Sequence, residues 1–161
     1  RISIARALTV NPEILICDEP VSALDVSVQA KILNLLEDMK ARYDLSLVFI
    51  SHDLSVVRNV SDRVVVMYLG KLCEVGDADR LYEAPAHPYT RALLASAPEP
   101  AQSVGEADAV LGDDLPSPTD PPSGCRFRTR CPLAIDRCTF EEPLMQQINE
   151  DHFVACHLPF T

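Results

Sequence analysis

The sequence predicts an α/β layer followed by a small cysteine-rich, metal-binding extension. Three observations carry this. Apolar runs at Ile14–Cys17 and Leu45–Ile50 each end abruptly in polar, chemistry-bearing residues: Asp18-Glu19-Pro20 after the first, Ser51-His52-Asp53 after the second. Between them, Val28, Ile32, Leu35, Leu36 and Met39 recur at helical spacing. Four cysteines then gather in the last 37 residues, far from the apolar runs.

Taken in order, Ile2, Ile4, Ala5 and Leu8 mark one face of a helix that stops before Asn11-Pro12. Arg1 falls in the middle of this pattern with no Met and no cap before it, so the chain is expected to be a fragment lacking its amino-terminal half. Ile14 to Cys17 reads as a short strand buried on both faces, as in a parallel sheet under helices. Pro20 ends it, and Asp25 can cap the helix from Val26 to about Tyr43. Leu45 to Ile50 is a second buried strand. Asp53 can cap a short helix through Val56, Val57 and Val60. Arg63–Tyr68 and Lys71–Val75, separated by Leu69-Gly70, read as a β-hairpin near the sheet edge.

Helical patterns follow at Asp77–Glu83 and Pro88–Ala97. Residues 98–124 hold six prolines and six acids with no Lys or Arg, the composition of an extended, mobile linker. The tail, 125–161, is too short to stabilise its own core and is expected to fold around a metal or crosslinks.

Bulk properties narrow the function. A net charge of −10 over 161 residues argues against binding to a phosphate backbone, so no nucleic-acid partner is expected. No run approaches the roughly 18 apolar residues of a membrane span, and no secretory signal pattern opens the sequence. Of the six cysteines, Cys17 and Cys73 sit in strand patterns and read as buried, inert thiols. Cys125, Cys131, Cys138 and Cys156 have five, six and seventeen residues between them, without the close pairs of zinc ribbons. Such spacing, with a Cys131-Pro132 step, suits a 4Fe–4S cluster; zinc held by three Cys and His152 or His157 is the alternative. Arg126, Arg128 and Arg130 would offset thiolate charge, or simply be solvated.

An apolar strand ending in Asp-Glu at the carboxyl edge of a parallel sheet is how a nucleotide-hydrolysing site holds magnesium and directs a water. The stretch Ile14 to Asp25 resembles the Walker B motif and D-loop of an ABC-type (RecA-like) ATPase, and Ser51-His52-Asp53 resembles that family's switch histidine. His87-Pro88-Tyr89-Thr90-Arg91-Ala92-Leu93-Leu94, Gly124-Cys125-Arg126-Phe127, Arg130-Cys131-Pro132 and Val154-Ala155-Cys156-His157 resemble the carboxy-terminal extension of oligopeptide and dipeptide importer ATPases.

The resemblance implies domains at 1–76 (partial ABC ATPase), 77–97 (helical extension), 98–124 (linker) and 125–161 (cysteine-rich extension). It implies Mg-ATP bound through Asp18, hydrolysis served by Glu19 and His52, and Ser22 and Asp25 lying across a dimer interface, or else only capping their helix. The metal ligands would be Cys125, Cys131, Cys138 and Cys156. Implied partners are a second ATPase subunit, integral membrane permeases and, indirectly, a solute-binding protein, with the chain peripheral on the cytoplasmic side of the membrane. Importers of nickel or other small solutes, a non-transport ABC ATPase, and a metal-binding regulatory module are the competing readings. The phosphate loop Gly-x-x-x-x-Gly-Lys-Ser/Thr and the signature motif do not occur, so these residues alone are expected not to hydrolyse ATP.

Overall fold

The computed structural model describes residues 2–96 and 116–160. These divide into two compact units, 1–61 and 62–161. Most of the expected linker, 98–115, lies outside the described residues, and the expected boundary at 76/77 falls inside the second unit.

In the first unit the elements are α1 (Ile2–Leu8), β1 (Ile14–Asp18), α2 (Val26–Tyr43), β2 (Ser46–Ile50) and α3 (Leu54–Val60). β1 and β2 pair in parallel, in register from Ile14 with Ser46 to Asp18 with Ile50. Asp25 caps α2, its Oδ1 accepting from Val28 N–H at 2.9 Å. Asp53 caps α3, its Oδ1 accepting from Ser55 N–H at 3.0 Å and Val56 N–H at 3.3 Å. Leu15, Cys17, Val21, Ile32, Leu36 and Val56 form the core between the strands and the helices.

Burial on both faces of β1 does not hold. Leu15 and Cys17 are buried, but Ile14 and Ile16 are 59 % and 67 % exposed. On β2, Val48 and Ile50 are equally uncovered, at 47 % each. The physical reason is coverage: among the described residues, the helices of this unit pack against one face of a two-stranded sheet. An unbroken apolar run therefore alternates in burial as a one-sided strand would.

The second unit carries β3 (Arg63–Tyr68), β4 (Lys71–Asp77), α4 (Ala78–Glu83), α5 (Pro88–Ala95), α6 (Arg137–Phe140), β5 (Gln146–Asn149) and β6 (His152–Val154). The expected hairpin forms, with Leu69 at φ 46° and Gly70 at φ 77°, the left-handed pair that a two-residue hairpin turn requires. Among the described residues it does not pair with β1 or β2. It belongs to a separate antiparallel sheet of order β3-β4-β6-β5, completed by the tail. Glu74 pairs with Val154 and Val75 with Phe153 across the β4–β6 seam.

The tail thus shares a core with the hairpin. Phe127, 2 % exposed, meets Tyr68 edge-on at 5.3 Å between ring centroids and Tyr89 at 5.2 Å. His87 caps α5, its Nδ1 accepting from Tyr89 N–H at 3.0 Å, with Pro88 in the first turn. Among the described residues no helix is long and apolar enough to cross a membrane.

Candidate functional site

The first unit brings together the carboxyl ends of its two parallel strands. Asp18 is the last residue of β1 and is exposed. The next residue, Glu19, adopts φ 47°, a left-handed conformation uncommon for a side chain of this size. Its N–H donates to Ile50 O at 2.9 Å, so the chain turns while still tied to the end of β2. From there the Glu19 carboxylate reaches His52, whose Nδ1 lies 2.9 Å from Oε1. This hydrogen bond, with the carboxylate's charge, raises the His52 pKa above its ordinary value. The other carboxylate oxygen, Oε2, is shielded from solvent and has no hydrogen-bond partner among the described residues. A screened, unengaged oxygen beside an exposed acid suits a site that takes a metal-bound polyphosphate and a polarised water.

Ser22 and Asp25 stay local. Ser22 Oγ donates to Glu19 O at 3.1 Å. Asp25 Oδ1 accepts from Ser27 Oγ at 2.7 Å as well as from Val28 N–H, and these bonds, the serine's first, lower its pKa. Sequence reasoning missed Gln29. Its amide contributes to lowering the Asp53 pKa, after the Ser55 hydroxyl and the backbone N–H groups of Val56 and Ser55. The only signal was its place one turn past the Asp25 cap.

In the second unit Cys125, Cys131, Cys138 and Cys156 line one cleft, together with His87 and His157. All four are free thiols. Burial first, then neighbouring thiols, push up the pKa of Cys131 and of Cys156, the latter to about 11; burial likewise raises Cys125. The Arg128 charge counteracts part of this at Cys125. Arg126 instead donates to Leu69 O in the hairpin turn. Among the described residues no group of three or more His, Cys, Asp or Glu is gathered to hold a metal ion.

Of the two histidines weighed as zinc ligands, only His157 lines the cleft, and its Nε2–H donates to Glu141 O at 3.0 Å. His152 is engaged elsewhere: its Nε2 meets Glu74 Oε1 at 2.7 Å. Cys17 and Cys73 are buried as expected, at 7 % and 6 % exposed. Cys73 is less isolated than its strand pattern implied. Burial and then the nearby Cys125 push its pKa up to about 12.

Glu74 is the residue sequence reasoning overlooked. It is fully buried, with Oε1 accepting from Ala86 N–H at 2.7 Å and Oε2 from His87 N–H at 2.9 Å. His87 is held neutral, its pKa lowered to about 4 by burial. The signal was an acid inside the apolar strand Leu72-Cys73-Glu74-Val75, which has to be compensated if it faces inward.

Residues 73–138 match the family described as the oligopeptide/dipeptide transporter, C-terminal region. Over 156 residues, 97 % of the chain, it is 52 % identical to a putative peptide import ATP-binding protein of Brucella ovis, covering 49 % of that protein. It is 55 % identical over 160 residues to the oligopeptide transport ATP-binding protein AppF of Bacillus subtilis, covering 98 % of the chain and 49 % of AppF. The putative oligopeptide transport ATP-binding protein YkfD of the same organism is 51 % identical over 160 residues, again 49 % of its length. The chain spans about half the length of these curated relatives. The chain is thus similar, through its matched carboxy-terminal region and over nearly all its residues, to ATP-binding proteins named for peptide or oligopeptide import.

Proposed function

We propose that the chain is the carboxy-terminal part of the ATP-hydrolysing subunit of an importer of oligopeptides or dipeptides. The observation that carries this is the Glu19–His52 contact at the carboxyl ends of two parallel strands, with Glu19 Oε2 screened and unengaged. Mg²⁺ bound with the nucleotide would neutralise phosphate charge. Asp18 would hold that ion through water. Glu19 would orient the attacking water and accept its proton at Oε2. His52 would keep Glu19 in place and hydrogen-bond the terminal phosphate. Ser22 and Asp25 would lie across the interface to a second ATPase subunit while also shaping the start of α2.

In this reading residues 1–76 supply the ATPase parts and 77–97 the helical extension. The assembled subunit would sit peripherally on the cytoplasmic face of the membrane against integral permease subunits, with a solute-binding protein delivering the peptide. The thiol cleft of 125–161 would hold a 4Fe–4S cluster, with zinc as the alternative, through Cys125, Cys131, Cys138 and Cys156. Shared lining of one cleft supports that set.

Glu19→Gln in the full-length protein tests the catalytic assignment. Steady-state phosphate release should fall about 10²–10⁴-fold, the usual contribution of a positioned base, with ATP binding retained. Turnover near wild type would reject it.

A further inference from the structure

Seventeen residues separate Cys138 from Cys156, yet both line the same cleft. Within that interval β5 pairs with β6 and Gln146 Nε2–H donates to Cys156 O at 2.8 Å, and a second set of contacts, buried, lies on β4. His152 Nε2–H donates to Glu74 Oε1 at 2.7 Å, with the two side chains 5 % and 0 % exposed. Two further donors to Glu74, the N–H groups of Ala86 and His87, come from the residues just before α5. A carboxylate without solvent is tolerated only when donors surround it, so His152 is a required member of this set. Beyond the β4–β6 pairing, Ala155 N–H donates to Cys73 O at 2.8 Å. The backbone is therefore pinned at the residue immediately before Cys156.

We propose that the buried Glu74–His152 pair is a latch that positions Cys156 in the thiol cleft. The cleft is then assembled on β4 of the hairpin and is not a property of the cysteine-rich tail alone. His152 acts as a positioning residue and not as a metal ligand. The consequence for metal content rests on the metal reading above; the positioning of Cys156 does not, because it concerns the thiol whether or not a metal is bound.

The full-length protein, purified anaerobically, is labelled with iodoacetamide in its native state, and each cysteine is followed by peptide mass spectrometry alongside iron, sulfide and zinc per chain. His152→Ala should speed labelling of Cys156 about tenfold relative to Cys125 and Cys131, as expected when a buried contact no longer restrains local opening. It should also lower the metal content. His152→Gln, whose amide N–H can still donate to Glu74, should restore both. Unchanged protection of Cys156 in a folded His152→Ala protein overturns the latch, and so does equal acceleration at all four thiols. Should His152→Ala not fold, the isosteric Glu74→Gln decides, with unchanged Cys156 labelling again overturning it. A wild-type chain that carries neither metal rejects the metal reading, while the labelling comparison still judges the latch.

Discussion

Cys125 N–H donates to Cys138 O at 2.9 Å, and this bond closes only because Gly124 stands before it. Gly124 has φ 62°, and a Cβ there would sit 2.4 Å from Cys138 O and 2.9 Å from Thr139 C. Both obstacles are backbone atoms, which cannot swing aside. Gly124→Ala should destabilise the second unit by about 1–3 kcal/mol through strain and displacement of the Cys125–Cys138 contact. Urea denaturation of the two proteins measures this, and a difference below about 0.5 kcal/mol would contradict it.

Phe127 and Lys71 should differ widely in cost. Phe127 is 2 % exposed among Tyr68, Tyr89 and His87, so Phe127→Ala should cost about 3–5 kcal/mol. The Lys71–Glu142 ion pair, at 2.6 Å, has side chains 45 % and 54 % exposed, and solvent screens it. Lys71→Ala should cost no more than about 1 kcal/mol. Comparable losses in thermal unfolding would refute the ranking.

Asp53→Ala removes the α3 cap and the bond from the Ser55 hydroxyl, and should cost about 0.5–2 kcal/mol. The Ser55 hydroxyl is the first cause of the lowered Asp53 pKa. Because the folded value lies below the ordinary one of about 3.9, this contribution is present above that pH and is lost as pH falls through the lowered value. Wild type and variant should therefore converge in stability in acid and separate toward neutrality.

His52 titrates in the opposite sense. Its hydrogen bond to Glu19 raises the pKa, so the charged contact is complete below about pH 6.5 and fades as pH rises through the raised value. An NMR titration of the imidazole should give a higher midpoint in wild type than in Glu19→Gln. Equal midpoints would mean that the contact does not form in solution.

The caps, the long helix α2 and the β3–β4 hairpin were legible because their signals lie within a few residues of one another. Asp25 and Asp53 stand one residue ahead of their helices, and Leu69-Gly70 stands between two apolar runs. Glu19 and His52 were legible as partners because each lies just past the end of a strand and the two strands are neighbours. The one-sided burial of β1 was not legible, since Ile14, Leu15 and Ile16 are alike in character and only coverage distinguishes them. β6 was invisible for a different reason. At three residues it is too short to show a period, and its pairing with β4 depends on a partner 78 positions away.

That separation gives the fold a timetable during synthesis. When β4 has left the ribosome, its Glu74 carboxylate lacks the imidazole that completes its shell, and the edge that β6 will occupy is open. At about 5–20 residues per second the missing partner arrives roughly 4–16 s later. Until then the hairpin presents an unpaired strand edge with an acid in it, and that charge discourages pairing with a neighbouring nascent chain. A message cut short even a few codons before His152 would leave the carboxylate without its imidazole permanently, and quality control would meet a hairpin that had formed but could not be sealed.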